Sequence, residues 1–324
     1  MLGHGIVGTD MYDVLRDGEF IRFITNAATS ARERVLISTY VASVSEPMKP
    51  LLRSLSLAAK RGATVRVYLN GVGSEASKYN TEFADVAESL GIPVTLTSFF
   101  NHAKVAVIDD AVVIGSHNLV GPSRRRDISV AIRSRELADY VSEEVFGSFR
   151  AGTPWSGYYM SYLGAGAMVE VFGGIPILDK ARLLIEYAVN RVSGAFFIAT
   201  VSRATRPIYD ALSVRKSSGV DVMIVLSGEP GSALTHNRKT WAYLRKRRIP
   251  VAIYPGMLHA KVLAVDEAVL IGSHNLTSAS SAGRAEVSAV VWVEGTAEVV
   301  HNWVARLFEE SEKDKETRTN DVQG

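Results

Sequence analysis

Two short strings in this 324-residue chain carry side chains able to do chemistry near neutral pH: His102-Ala103-Lys104 and His259-Ala260-Lys261. Each is followed by an aspartate, Asp109 or Asp266, and then by Gly115-Ser116-His117-Asn118 or Gly272-Ser273-His274-Asn275. Residues i and i+2 of a strand share a face, so each histidine projects beside its lysine while Ala103 and Ala260 turn the other way. Imidazole can act as nucleophile, base or acid near pH 7, and an ammonium is a compact charge suited to a phosphate oxygen. Ser116, Asn118, Ser273 and Asn275 can add hydrogen bonds to an anion. Two such half-sites facing each other would surround one tetrahedral phosphate. A single His-x-Lys on a strand is usually an ordinary surface pair; the full string present twice is not.

The repetition is long. His102–Leu119 and His259–Leu276 align without a gap and differ at only five positions, at an offset of 157 residues. The same offset pairs Ile92-Pro93-Val94 with Ile249-Pro250-Val251. A duplicated and fused unit follows, with two equivalent halves in one polypeptide. In each half, helical and apolar strand-like runs alternate, which predicts α/β layers with strands buried on both faces. The first half predicts helix 19–32, strand 34–41, helix 50–61, strand 63–69, helix 81–90 and strand 93–97. The second predicts helix 178–192, strand 195–201, helix 207–217, strand 220–226, helix 233–246 and strand 250–254. Each then ends in two strands joined by a tight turn, at Asp109-Asp110 and Asp266-Glu267. The expected organisation is a first half over 1–152, a connector over 153–167, a second half over 168–308 and a disordered tail over 309–324. Trp155, Tyr158, Tyr159 and Tyr162 make the connector too apolar for a solvated linker, so they are expected to pack.

These residues resemble the phospholipase D superfamily, whose signature is His-x-Lys-x4-Asp followed by Gly-Ser-x-Asn. Both copies match, except that five residues separate Asp from Gly-Ser here where the common form has six. The resemblance implies two α/β/α sandwich halves related by a pseudo-twofold axis and a two-step reaction through a phosphohistidine. It implies His102 as nucleophile and His259 as general acid and base, with Lys104, Lys261, Asn118 and Asn275 on the phosphoryl oxygens. Asp109 and Asp266 are expected to be structural. The superfamily also supplies a carboxylate to orient each histidine. Asp127 and Glu286 are the candidates, although they lie nine and eleven residues after their asparagines.

Composition bounds the rest. The chain has no cysteine, which excludes disulfides, thiolate nucleophiles and Cys-ligated metals. His102, His117 and Asp109 could be imagined around a metal, but no His-x3-His spacing occurs and lysine would repel a cation. No metal or other cofactor is expected. The net charge of +2 does not repel phosphate, yet falls short of a nucleic-acid signature. No apolar run is long enough to span a bilayer and the N-terminus does not read as a signal peptide. A cytoplasmic protein is therefore expected, and a monomer suffices because both half-sites lie in one chain.

For substrate, the basic runs Arg124-Arg125-Arg126 and Arg245–Arg248 favour a nuclease or endonuclease acting on DNA or RNA. In that reading Arg124 grips a flanking phosphate and Phe100 stacks on a base. The alternative is a phospholipase D or phosphatidyl transferase acting on phospholipid headgroups, which the apolar connector and Phe99-Phe100 would suit. A third, of another class, is a protein that binds nucleic acid without cutting it.

Overall fold

The computed structural model describes residues 12–73, 76–121, 125–164, 166–174, 177–278 and 284–321. In the first half, strands β1 (Tyr12–Arg16), β2 (Arg34–Thr39), β3 (Thr64–Asn70), β4 (Val94–Thr97), β5 (Val105–Ile108), β6 (Ala111–Gly115) and β7 (Ile128–Arg133) form one sheet. Its order is β1-β7-β6-β5-β2-β3-β4. In the second, β8 (Gly157–Gly164), β9 (Ala167–Gly173), β10 (Arg191–Phe196), β11 (Asp221–Ser227), β12 (Val251–Tyr254), β13 (Lys261–Val265), β14 (Ala268–Gly272) and β15 (Ser288–Trp292) form the other. Its order is β12-β11-β10-β13-β14-β15-β9-β8. The shared kernel is the same in both: three parallel strands with an antiparallel hairpin beside the first of them.

Helices cover both faces. On the outer face of the first sheet lie α1 (Glu19–Ser30), α2 (Lys49–Lys60) and α3 (Ala76–Ser89); on its inner side lie α4 (Arg135–Tyr140) and α5 (Phe146–Arg150). The second sheet has α6 (Ile177–Glu186), α7 (Arg206–Ser217) and α8 (Ser232–Lys246) outside, and α9 (Thr296–Asp321) inside. Strand alternation sorts the apolar residues accordingly. Val105 and Val107 face the central core shared by both halves, while Ala106 and Ile108 face α1 and α2. The sheets meet directly through β6, β14 and β15. Each half is thus an α/β/α sandwich, and one continuous core joins them.

The repeat extends into the turns. Asp109 and Asp266 adopt left-handed backbone, φ +51° and +47°, as a two-residue hairpin turn requires. The Asp109 carboxylate accepts the backbone N–H groups of Arg32, Glu33 and Arg34, and that of Asp266 accepts those of Val189, Asn190 and Arg191. Each aspartate therefore clamps the entry of the parallel strand to the hairpin, holding the His-x-Lys strand in register.

The structure departs from the sequence reading at three places. Residues 157–164, read as connector, form β8, which pairs with β9 and extends the second sheet. Tyr159 stacks on Tyr140 with ring centroids 4.0 Å apart, whereas Tyr162 remains 74% exposed. The second-half helix ends at Glu186 and the strand begins at Arg191. Apolar spacing carries a helical pattern through Val192, but the aspartate clamp fixes the strand start there. Finally, residues 309–321 continue α9, with Ser311 buried against the body, and the last three residues of the expected tail, 322–324, lie outside the described residues.

Candidate active site

The two His-x-Lys segments lead into β5 and β13 and meet across the interface between the halves. Two backbone crossings set their positions. His102 N–H donates to Ala285 O at 2.9 Å and Ala285 N–H to Phe100 O at 3.0 Å. On the other side, His259 N–H donates to Arg126 O at 2.8 Å and Arg126 N–H to Met257 O at 2.9 Å. Each half therefore threads its post-motif segment alongside the other half's histidine.

The consequence is an exchange of acids. His102 Nδ1 lies 2.9 Å from both carboxylate oxygens of Glu286, a second-half residue. His259 Nδ1–H donates to Oδ1 of Asp127, a first-half residue, at 2.8 Å. Neither half holds a complete His–acid pair by itself. A carboxylate on Nδ1 fixes the tautomer, so each Nε2 presents its lone pair to the site.

Lys104 Nζ donates to His102 O at 2.8 Å, and Lys261 Nζ to His259 O. These side chains are nearly enclosed: His102 is 12% exposed and His259 7%. Burial, followed by the lysine charges, holds both imidazoles below their ordinary pKa, His102 well below and His259 down to about 3. Burial likewise lowers Lys104 to about 8, and Lys261 well below its usual value through burial and the charge of Lys104. The acids differ. Burial raises Glu286, whereas at Asp127 burial is outweighed by the hydrogen bond from His259 and by Lys261, and the carboxyl stays below its usual range. In the free protein both histidines are neutral and Asp127 is ionised.

Asn118 and Asn275 close the site from the hairpin strands, and here the halves diverge. Thr39 Oγ1 donates to Asn118 Oδ1 at 3.0 Å. The residue at the Thr39 position in the second half is Phe196, and Asn275 Oδ1 is buried without a partner among the described residues. A hydroxyl or other hydrogen-bond donor of the substrate can occupy that place.

The serines are not where they were expected. Ser116 and Ser273 are completely buried and do not face an anion site. Ser116 Oγ donates to Asp127 Oδ1 at 2.6 Å and accepts Ile128 N–H; Ser273 Oγ accepts Val287 N–H at 3.0 Å. They position the acid segments behind the histidines. Gly115 and Gly272 permit this close approach, because an added Cβ would fall 2.1 Å from Ser129 Oγ and 2.0 Å from Ser288 Oγ. Those two hydroxyls bind His117 Nδ1 and His274 Nδ1 at 2.7 Å, which makes His117 and His274 parts of the packing. Arg124 lies outside the described residues. Phe100 is partly exposed, 6.4 Å from the His102 ring.

Several residues at the site escaped the sequence reading. Tyr40 and Phe197, at the repeat offset, flank His102 and His259 at 5.2 and 4.9 Å between ring centroids. Behind them, buried Asn80 and Asn237 donate to Tyr40 O and Phe197 O at 2.9 and 2.8 Å, fixing those strand ends. Both pairs were available from the offset of 157 residues, which places Asn against Asn and aromatic against aromatic. Arg125 and Arg284 form a further pair. Arg284 lies 4.7 Å from the Phe100 ring centroid, and Arg125 Nε donates to Met257 Sδ at 3.0 Å. Among the described residues no group of three or more His, Cys, Asp or Glu gathers as a metal site.

The family model described as "Cardiolipin synthase, PLD-like domain" matches residues 24–147 and again 185–308. Cardiolipin synthase B of Salmonella typhi is 25% identical over 321 residues, covering 86% of this chain and 75% of that protein. The major cardiolipin synthase ClsA of Bacillus subtilis is 24% identical over 341 residues, covering 90% and 68%. Among solved structures, phosphatidylserine synthase of Haemophilus influenzae superposes with a TM-score of 0.71 at 12% identity, covering 94% and 87%.

These findings overturn the expectation of a nuclease or endonuclease and favour the phospholipid alternative. Nucleic acid as the substrate is not supported. The basic runs that suggested it are otherwise engaged: Arg126 binds Asp17, Tyr254 and Glu310, while Arg245 and Arg247 stack on Trp241 and Tyr243 of α8. With both halves matched, each contributing one His-x-Lys string and the acid for its neighbour, the chain belongs to the phospholipase D-like domain family of the cardiolipin synthases and is an enzyme of the phospholipase D superfamily.

Proposed function

We propose that the protein is a phosphatidyl transferase that exchanges the headgroup alcohol of a phospholipid for another alcohol. One observation carries the preference for transfer over hydrolysis: the imidazoles and ammonium groups are almost wholly enclosed, so bulk water has little access to a covalent intermediate.

In this reading His102 Nε2 attacks phosphorus and the bond to the headgroup oxygen breaks. His259 Nε2–H gives its proton to that oxygen. The anionic phosphodiester entering the site favours the protonated form of His259, offsetting the burial that depresses it in the free protein. An alcohol then enters on the side the headgroup left. His259 takes its proton, the new O–P bond forms, and the P–N bond to His102 breaks. Lys104, Lys261 and the two asparagine amides bind the equatorial oxygens, where charge builds up. Glu286 and Asp127 orient the imidazoles and stabilise each when it carries positive charge.

The names of the relatives support a phospholipid donor, and cardiolipin, two phosphatidyl groups on one glycerol, is the product they make. A substrate held in a bilayer brings the working enzyme to a membrane surface. Among the described residues no helix is long and apolar enough to cross a membrane. Because each half completes the other, one chain is the active unit.

The test is to incubate the full chain with phosphatidylglycerol vesicles and resolve the lipids by thin-layer chromatography. Diphosphatidylglycerol and free glycerol are expected, with none from His102→Ala. Release of phosphatidic acid alone would show hydrolysis and refute transfer.

A further inference from the structure

The two halves carry the same turn beside their acids, and only one of them puts a charge there. Strand β1 pairs with β7 so that Arg16 lies opposite Ile128, which brings Asp17 against Asp127. In the second half β9 pairs with β15, Phe172 opposite Ser288, and the residue brought against Glu286 is Gly174. Asp17 and Gly174 stand at the repeat offset of 157 residues, and both have left-handed backbone, φ +49° and +69°. Glycine adopts that conformation freely, whereas an aspartate tolerates it at some cost.

Asp17 encloses the backbone of the acid behind His259. Its N–H donates to Asp127 O at 3.0 Å, and Asp127 N–H donates to Asp17 Oδ1 at 3.1 Å. Asp17 Oδ2 accepts Arg126 Nη1–H at 3.0 Å, and Asp17 O accepts His117 Nε2–H at 2.9 Å. Arg126 in turn reaches the second half by both ends. Its guanidinium donates to the Tyr254 hydroxyl at 2.9 Å and to Glu310 at 3.3 Å. Its carbonyl accepts His259 N–H at 2.8 Å and Ala260 N–H at 3.1 Å. One carboxylate thus fixes two neighbouring residues, of which Arg126 holds the backbone of His259 and Asp127 holds its imidazole. Gly174 supplies no such group. His274 Nε2, the counterpart of His117 Nε2, is buried without a partner among the described residues.

We infer that Asp17 is a positioning residue for His259, acting through Arg126 and Asp127 and touching neither the substrate nor the reacting atoms. The asymmetry matches the two roles. His259 gives and takes a proton in every turnover, so its ring must return to one place, whereas His102 is held by its bond to phosphorus between the steps. The covalent steps are unchanged. This inference rests on the transferase reading and adds to it a residue that keeps the general acid and base in line.

The experiment compares two donors in vesicles, phosphatidylglycerol and phosphatidyl-p-nitrophenol, with the full chain. When His102 Nε2 attacks the second, p-nitrophenolate departs with the electron pair of its O–P bond and needs no proton, so its first-turnover burst bypasses His259. Departure of glycerol does not. Asp17→Gly, which suits the left-handed turn, is expected to lower kcat for transfer from phosphatidylglycerol by about 10-fold to 100-fold, the loss a misplaced catalytic group brings. KM and the p-nitrophenolate burst should be unchanged. Asp17→Asn tolerates the same backbone and offers one acceptor oxygen in place of two, so it should show a smaller loss of the same kind. Equal loss of burst and transfer overturns the inference, because a general disturbance of the fold lowers both. Wild-type kcat in Asp17→Gly overturns it as well. If the wild-type protein gives neither burst nor transfer, the transferase reading fails and this inference with it; an unselective loss in a variant of a working transferase fails this inference alone.

Discussion

Asp127→Asn should disable a histidine that lies in the other half of the chain. Asp127 is buried, ionised, and 2.8 Å from His259 Nδ1, with Ser116 holding the same oxygen at 2.6 Å. The substitution keeps the shape and removes the charge. What the transition state loses is the attraction between the carboxylate and the imidazolium forming on His259. At an effective dielectric of about 20 and a charge separation of about 4 Å, that attraction is about 4 kcal/mol, which corresponds to roughly 10³-fold in rate. The assay is a double-mutant cycle on headgroup transfer, with Asp127→Asn, His259→Ala and the combination. Because the aspartate acts only through the histidine, the double variant should be no slower than His259→Ala, and the losses should be strongly non-additive. Thermal melts of all three variants separate this from unfolding. Additive losses, or wild-type turnover in Asp127→Asn, would refute the exchange of acids between halves.

Other outcomes follow from the same geometry. Lys104 holds phosphoryl oxygens as a cation and its pKa is lowered to about 8, so kcat/KM should fall as pH rises through about 8; Lys104→Arg, charged at all accessible pH, should move that alkaline limb upward if it remains active. Thr39→Val removes the donor to Asn118 Oδ1 and leaves a buried acceptor unpaired, at a cost of about 1–3 kcal/mol, measurable by urea unfolding, with a loss of activity that a distant cavity would not produce. Asn80→Leu abandons the N–H of Ala42 and the carbonyls of Tyr40 and Asn70, all partners of one buried amide. A loss of at least about 3 kcal/mol is expected; a stable, fully active Asn80→Leu protein would show that the amide does not hold the strand ends at the site.

Much of this was legible in the chain because the duplication repeats its chemistry at a fixed spacing. The histidines, lysines, asparagines and hairpin aspartates all lie within one ungapped string in each half. The acids were legible as candidates but not as partners. Asp127 and Glu286 are 159 residues apart against 157 for the histidines, and nothing local tells that each reaches the opposite half. That fact belongs to the backbone crossings at Arg126 and Ala285. The serines were misread for a related reason: their spacing from the histidines is compatible with an anion site, but the adjacent glycines let them press into β7 and β15 instead. Arg125 was hidden inside a run of three arginines, and Arg284 stands alone; only the interface shows them as a pair. The strand at Arg191 was lost to local periodicity, although its aspartate clamp lies at the same offset as every other element. The choice of nucleic acid over lipid rested on charges that have partners of their own: Arg126 reaches Asp17 and Tyr254 far away in the sequence, and Arg245 and Arg247 lie over Trp241 and Tyr243 one helical turn back.

The central claim is a single composite site in which His102 carries the phosphatidyl group between two alcohols. It is tested most directly by mixing the protein with phosphatidylglycerol labelled in its phosphate, quenching in alkali within the first turnover and mapping the labelled peptide. A label on the peptide containing His102, absent from His102→Ala, is the predicted result. A label at another residue of the intact protein, or transfer by the wild-type protein with no covalent species at any time, would contradict the account.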